Sequence, residues 1–503
     1  MAVKRYYAKS DNTITNAFEE NLTTRGTGSN MGASDILEVF SIFAQANSSS
    51  AEESRALLKF NVTASTNSIT ADRTAGVIPA SGSVSFYLRM FNAKHGQTLP
   101  KNFTMDISAI TGSWDEGTGL DMEAYRDKDD SNWTNRLPST AWSTTGGDYY
   151  TDTSSSFSAS FTSGVEDLEV DITTLVEQWA NSAGNVLGSK NDEGVGVFLS
   201  STYSGESRSY YTKKFFGRGT EFHFKRPCIE ARWDSATKDD RGTFFFSSSL
   251  ATAAENLNTL YFYNYFRGQL RNIPSIGTGN IYLSVYSGSA DDTEPGGSRL
   301  EMVADGTHVR SASNALTTVV TGGYVSTGIY SASFAITGAQ TTLYDVWHNN
   351  GNVEFHTGTI KPEALDGSAT APDTTFASSI TNLKNVYRGD ETARFRVYTR
   401  QKDWSPTIYT KATAQAEVNI VESGSYEIYR VVDDLKVIPY GTGSTLHTQM
   451  SFDADGSYFD LDMEMLEKGY MYGIKLAYYN NSVGSWVEQP ETFKFRVESR
   501  QSE

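Results

Sequence analysis

The densest set of groups able to do chemistry is Trp114-Asp115-Glu116-Gly117-Thr118-Gly119-Leu120-Asp121-Met122-Glu123. Two carboxyls flanking a bond, about 5–10 Å apart, are what glycoside hydrolysis needs. Carboxylates beside aromatic rings also suit a polysaccharide or a cation. Trp133 and Trp142 follow in the same stretch, so Trp114, Trp133 and Trp142 together form a candidate glycan platform. The competing reading is that Trp and Asp in a long loop shape the loop itself. Asp453-Ala-Asp455-Gly456-Ser-Tyr-Phe-Asp460-Leu-Asp462, with Glu464 at the twelfth position, has the outline of a calcium loop. An EF-hand needs flanking helices. Tyr458–Met463 alternates like a strand and Asp455-Gly456 is a hairpin signal, so the segment reads as a turn.

The histidines are His95, His223, His308, His348, His356 and His447, none in a HExxH arrangement. His348 and His356 share a hairpin-like segment and read as separate side chains. The sequence has no P-loop, no GxSxG elbow and no Cys–His pair. The expectation is a protein that is not an enzyme and has no cofactor and no metal site.

Cations and aromatic rings cluster at 208–218 and 394–404. Such clusters stack on nucleic acid or sugar, but Tyr and Arg are also the anchors of protein interfaces. The net charge of −18 repels phosphates and anionic lipid, which favours a protein partner over nucleic acid or membrane. Arg208, Lys213, Lys214 and Arg218 form a basic strip in an acidic chain and are interface candidates. Tyr6, Tyr7 and Phe18 are isolated anchors in a polar segment, residues 1–35, that reads as an arm ordering on a neighbour. These features make the N-terminal half the docking half and turn the C-terminal half outward.

A chain of 503 residues accommodates roughly three domains. Its 13% aromatic content excludes disorder. The single cysteine, Cys228, allows no intrachain disulfide. The N-terminus has no apolar secretory core, and no apolar run approaches the ~18 residues of a membrane span.

The elements that must position these groups are strands. Val84, Phe86, Leu88 and Met90 alternate within 83–91; Ala393, Phe395 and Val397 alternate with Arg394, Arg396 and Tyr398. Segments 425–432, 457–463, 470–478 and 492–498 behave likewise. Short alternating runs punctuated by Gly, Asn and Asp predict antiparallel sandwiches. Helix is predicted over 171–180, where Leu175, Val176 and Trp179 share a face, with weaker candidates at 34–40 and 249–258. Polar stretches near 233–242 and 361–379 divide the chain into residues 1–238, 239–365 and 366–503.

The order of motifs in the first piece is Ser54-Arg-Ala-Leu-Leu-Lys-Phe60, Ile78-Pro79 with the strand at 83–91, Ser113-Trp-Asp-Glu116, Asp167-Leu-Glu-Val-Asp-Ile-Thr173, Leu175-Val-Glu-Gln-Trp179, Gly196-Val-Phe-Leu199 and Arg226-Pro-Cys-Ile-Glu-Ala-Arg232. It resembles the DNRLRE-type domain, a jelly-roll sandwich of carbohydrate-binding and cell-surface proteins. The segment 117–160 is an insertion relative to that pattern. Across most of the chain, Asn21-Leu-Thr-Thr-Arg-Gly-Thr-Gly28, Tyr211-Thr-Lys-Lys-Phe-Phe-Gly-Arg-Gly219, Tyr344-Asp-Val-Trp347, Arg394-Phe-Arg-Val-Tyr-Thr-Arg-Gln-Lys-Asp-Trp404 and Gly469-Tyr-Met-Tyr-Gly-Ile474 resemble structural proteins of tailed bacteriophages of marine bacteria, cyanophage-like. The resemblance implies an all-β chain: an N-terminal jelly-roll-like sandwich followed by two immunoglobulin-like sandwiches. It implies a virion part, assembled in the host cytoplasm, at the neck, collar or tail exterior. Its expected partners are other virion proteins and further copies of itself. The alternatives are a polysaccharide-binding adhesin that recognises host surface polysaccharide, and a capsid decoration protein.

Overall fold

The computed structural model of the chain describes residues 2–94, 100–123, 130–180, 187–305, 316–364, 375–412 and 418–499. It is all-β. Among the described residues the α-helices are α1 (Ile69–Thr74), α2 (Thr173–Ala180) and α3 (Ile408–Ala412). The chain divides into two compact units, one of Ala2–Asp234 with Gly443–His447, the other of Ser235–Thr442 with the chain from Thr448 onward.

The strands of the first unit are β1 (Val3–Tyr7), β2 (Ser10–Thr15), β3 (Ile36–Phe43), β4 (Ala51–Lys59), β5 (Ser85–Met90), β6 (Phe103–Ala109), β7 (Asn135–Leu137), β8 (Thr140–Ala141), β9 (Ser156–Phe161), β10 (Leu168–Asp171), β11 (Val195–Leu199), β12 (Tyr210–Phe216) and β13 (Cys228–Arg232). One sheet runs β1-β13-β5-β10 and the other β12-β3-β4-β11-β6-β9, with β2 paired to β4. Few neighbours are consecutive in sequence, as in a jelly roll. Strand alternation sends Tyr6, Phe86, Leu88, Met90, Ile229 and Ala231 inward from the first sheet, to meet Leu58, Met105, Ile107, Val197 and Phe215 from the second. Helix α2 closes this core with Leu175, Val176 and Trp179. Asp171 Oδ1 accepts from the Thr173 amide at 2.9 Å as the helix begins.

Residues 2–35 are not a free arm. β1 pairs along its length with β13, from Val3 opposite Arg232 to Tyr7 opposite Cys228, and β2 pairs with β4 from Ser10 to Thr15. The segment 34–40 is strand β3 rather than helix, because its apolar residues alternate and Leu37 and Val39 are buried. Segment 249–258 forms turns that lead into a strand. Helix α1, capped by Ser68 Oγ at 3.1 Å from the Ala71 amide, was hidden in a polar sequence.

The second unit begins with a strap. Thr237 and Asp239 exchange backbone hydrogen bonds with Phe452, at 3.0 and 3.1 Å, and Phe244 and Phe246 do so with Glu363, at 2.8 and 2.9 Å. A sheet of β14 (Asn258–Tyr263), β17 (Ile281–Gly288), β19 (Val320–Ser326), β20 (Ile329–Phe334), β21 (Leu343–His348) and β22 (Glu354–Ile360) follows the path β14-β20-β19-β17-β21-β22. The short β15 (Tyr265–Phe266) and β16 (Gln269–Leu270) make a hairpin, and β18 (Pro295–Gly296) pairs with β17. β19 gives its first half to β17 and its second half to β20. Leu260, Leu283, Tyr330, Phe334 and Trp347, from both ends of the path, therefore share one core.

The last strands are β23 (Phe376–Ile380), β24 (Val386–Arg388), β25 (Thr392–Gln401), β26 (Gly424–Arg430), β27 (Leu435–Ile438), β28 (Ser451–Asp453), β29 (Gly456–Asp462), β30 (Met471–Asn480) and β31 (Ser485–Glu498). They form sheets β23-β25-β29-β28 and β24-β31-β30-β26-β27. In immunoglobulin lettering these are A-B-E-D facing G-F-C. Rings take the place that the inter-sheet disulfide holds in antibody domains: Tyr426 stacks on Phe459 at 4.0 Å, and Phe395 lies 5.1 Å from Phe459 and 5.6 Å from Phe495. Of the expected linker at 361–379, residues 365–374 lie outside the described residues.

Deleting residues 2–15 removes an edge strand, the strand on β4 and the buried Tyr6. The expected outcome is loss of the first unit's cooperative unfolding transition and rapid proteolysis within residues 16–234. A truncated chain that melts like the full chain would mean these strands are dispensable.

Candidate functional site

The tryptophan loop folds onto the outer side of the larger sheet of the first unit. Trp114, Trp133 and Trp142 are 3%, 7% and 4% exposed and pack with Ile14, Leu57 and Ile110 in a small second core. Trp142 Nε1 donates to Asn132 O and Trp114 Nε1 to Glu193 O, both at 2.9 Å. Asn132 Oδ1 accepts from the Thr134 and Asn135 amides at 2.9 and 2.7 Å and sets the turn into the β7–β8 hairpin. The Arg55 guanidinium covers Trp133 at 5.1 Å and donates to Gly146 O at 2.9 Å. The glycan platform is corrected accordingly: three rings buried against a sheet offer no face to a sugar.

The carboxylates of this loop tie it down. Glu116 holds Arg218 through both oxygens, at 2.6 and 2.5 Å, and accepts from the Asp11 amide at 2.7 Å. Asp11 is buried, and its Oδ2 accepts from the Arg218 amide at 2.5 Å. Burial raises the Asp11 carboxyl to about 7; Glu116 adds to the rise and Arg218 opposes it. Asn12 Nδ2 reaches Ser131 O and Oγ at 2.9 and 2.8 Å, and Asn30 Nδ2 reaches Glu116 O and Ser131 O at 2.6 and 2.7 Å. Gly117 has φ +78° and passes so close to Asn30 that a Cβ would lie 2.3 Å from its carboxamide. Asp115 is exposed, so Asp115 and Glu116 do not act as a facing pair: one points to solvent and the other is held in an ion pair.

The basic strip is likewise taken apart. Lys213 is 1% exposed; its Nζ donates to Asn92 Oδ1 at 2.9 Å, to Gly164 O at 3.1 Å and to Glu166 O. It lies 4.6 Å from the Phe161 ring, and burial pulls its ammonium down to about 8. Lys214 pairs with Glu38 at 2.6 Å and Arg218 with Glu116. Arg208 is exposed, 5.2 Å from the Tyr210 ring, and remains available to a partner. Tyr6 is a core residue whose hydroxyl donates to Asp72 at 2.7 Å. Tyr7 is half-buried, 4.9 Å from His223, and Phe18 is half-buried under Arg25 at 4.2 Å. An N-terminal docking half therefore loses the free arm and, apart from Arg208, the free strip.

The other candidate motifs also resolve into packing. His348 bonds Ser284 Oγ at 2.8 Å, whereas His356 stacks on Phe262 at 5.5 Å. Asp453 and Gly456 pair in the β28–β29 hairpin, and the Asp453 carboxylate takes Arg396 at 2.6 Å. Arg394 is bidentate to Asp460, at 2.8 and 2.9 Å, and lies 4.4 Å from Tyr458.

Sequence reading missed the most heavily charged cluster of the first unit. On the outer face of β1, β13, β5 and β10, the fully buried Glu230 accepts from Arg5 at 2.7 Å, Arg89 at 3.0 Å and Arg232 at 2.7 Å. Arg232 also holds Glu169 at 2.8 Å. Each guanidinium lies over a ring: Arg5 on Phe224 at 6.0 Å, Arg89 on Phe91 at 5.0 Å and Arg232 on Tyr87 at 4.3 Å. Burial opposes the Glu230 charge, but the three arginines win and hold its carboxyl well below the usual range. The available signal was a glutamate in an otherwise apolar strand, Cys-Ile-Glu-Ala.

No family model matches the chain, and no curated protein matches it. Among solved structures it is similar to the titin domains Z1Z2 in complex with telethonin: 12% identity, 49% of this chain and 90% of that one, TM-score 0.14. It is also similar to Escherichia coli alpha-2-macroglobulin. The native conformation gives 10% identity, 88% of this chain, 21% of that chain and TM-score 0.14. The trypsin-activated form gives 8% identity, 83% of this chain, 22% of that chain and TM-score 0.15. The chain thus spans about a fifth of the macroglobulin.

Two outcomes follow from the buried charges. Glu230→Gln leaves three guanidiniums around a neutral amide and should cost about 3–5 kcal/mol, read from the urea midpoint; a loss below 1 kcal/mol would mean the cluster is not a clasp. For Asp11, the folded carboxyl titrates near 7 and the unfolded one near 3.8. The folded state therefore holds the extra proton between those values, and stability falls as pH rises from about 4 to 7. Melting curves of Asp11→Asn should lack that slope; parallel pH profiles for the two proteins would refute the assignment.

Proposed function

We propose that the chain is a non-enzymatic structural component of a tailed-bacteriophage particle, at its neck, collar or tail exterior, acting through protein–protein interfaces. The observation that carries this reading is where the chemistry went. Glu116, Asp453, His348 and the three tryptophans hold loops and sheets together, while large apolar side chains such as Tyr265 and Phe266 stand 58% and 53% exposed. A protein that works by area needs rigid modules and exposed anchors rather than a reactive cleft. The sequence resemblance supplies the particle. Its segment Tyr344-Asp-Val-Trp347 supports rigidity: Asp345 is fully buried and clasped by Arg241, at 2.6 and 2.7 Å, and by Trp347 Nε1 at 2.8 Å. In this reading the chain assembles in the host cytoplasm with other virion proteins. The glycan-binding alternative loses its tryptophan platform.

The test is mass spectrometry of purified particles with immunogold labelling against this chain. Stoichiometric presence and labelling at the neck or tail are expected. Absence from washed particles overturns the reading.

A further inference from the structure

The hairpin of β15 and β16 is a rigid knob. Its turn, Arg267-Gly268, has φ +51° and +78°, the two-residue arrangement that fits strand twist. Tyr265 and Phe266 project from it exposed, and Arg267 and Arg271 both lie 5.4 Å from the Phe266 ring. In a chain of net charge −18, neither guanidinium has a carboxylate partner among the described residues.

A cavity of about 470 Å³ opens at the other end of β14. Its apolar lining includes Phe245, Phe246 and Leu250; its charged lining is Asp240, Glu255 and Glu422, with no Lys or Arg. Asp240 Oδ2 accepts from the Thr259 amide at 2.6 Å, and burial beside Glu422 raises its carboxyl to about 6, while Lys238 acts on it from outside the lining. Leu250 and Glu255 are exposed at the rim. An aromatic knob flanked by cations without a carboxylate partner and an aromatic-lined cavity flanked by carboxylates are complementary in apolar character and in charge.

The knob follows β14, and the cavity is lined by Asn258 at that strand's first position, by the chain before it and by Glu422. Six residues of strand separate them by roughly 20 Å, so the knob of one chain does not reach its own cavity. We infer that the Tyr265–Arg271 knob of one copy docks in the Asp240–Glu422 cavity of the next, a head-to-tail contact that builds rings or filaments. Two different patches meeting in this way do not close a two-fold dimer. The inference goes beyond the particle reading. It concerns the isolated chain and stands or falls whether or not a virion incorporates it.

The experiment is sedimentation velocity on the full chain over a hundredfold concentration range. Two variants are compared, Phe266→Ala with Arg267→Glu to blunt the knob, and Ala254→Trp to fill the exposed rim of the cavity. Wild type should form species beyond the dimer, weakening as salt rises. Each variant alone should associate at least tenfold more weakly, with an unchanged melting curve. Mixed together, the two variants should stop at a dimer, since one still offers its cavity and the other its knob. A wild type that stays monomeric, association untouched by either variant, or a mixture that does not pair would each overturn the inference.

Discussion

A carboxylate taken out of water costs several kcal/mol unless cations come with it, and Glu230 is where the first unit meets that constraint. Its strand lies between β1 and β5, so the charge stands in the middle of a sheet face. Three arginines answer it, from β1, β5 and β13 itself. The contact between Arg5 and Glu230 joins residues 225 apart in the chain. It is one of the links that fix the N-terminal strand in place, and the register of β1 follows from it: a slip by one residue would put Arg5 into the apolar core and Tyr6 into the charge cluster. The middle sandwich repeats the device with Asp345 and Arg241. The last one places Arg430 against Asp433 and Glu467. With one cysteine in the chain, long-range links are ionic and aromatic rather than covalent.

That constraint also explains where several carboxylates of the chemical motifs went. A titratable side chain does catalysis when it faces a substrate with a free lone pair or proton. Glu116 faces Arg218, Asp453 faces Arg396 and Asp460 faces Arg394. Even the lysine with a lowered pKa, Lys213, is enclosed by three oxygen acceptors and two rings. A perturbed pKa marks a site only when the group is also reachable.

The sandwiches were legible because most of their strands are half-buried. Alternation in 83–91 and 392–398 reports which face meets the core, and Val84, Phe86, Leu88 and Met90 are buried as that pattern requires. Legibility failed where both faces of a strand are covered. β2 reads Ser-Asp-Asn-Thr-Ile-Thr, a loop by composition, yet five of its six residues are buried. One face packs under the tryptophan loop, and Asn12 is satisfied by Ser131, which lies 119 positions away. Local sequence carries no trace of that partner. The arm misreading has the same origin: Arg5 looks like a solvent residue until β13 supplies Glu230, and Lys4 until α1 supplies Asp72. Lys213 failed for the converse reason, since Lys213 and Lys214 are neighbours on opposite faces of β12 and only one of them meets water.

Pairing charge so thoroughly within each module has a consequence for the surface. Arg218, Arg241, Arg394 and Arg396 are committed to internal carboxylates, whereas cations such as Arg208, Arg267 and Arg271 stand beside rings in an acidic chain. Long-range repulsion then keeps copies apart except where such a cation leads. Specificity comes cheaply under these conditions, because most wrong encounters bring like charge to like charge. Exposed rings alone would adhere to any apolar surface; rings beside an unpaired guanidinium select an apolar surface that is also acidic. In the head-to-tail contact inferred above, the geometry of the β15–β16 tip, more than the total area of the sandwiches, would set how copies are arranged.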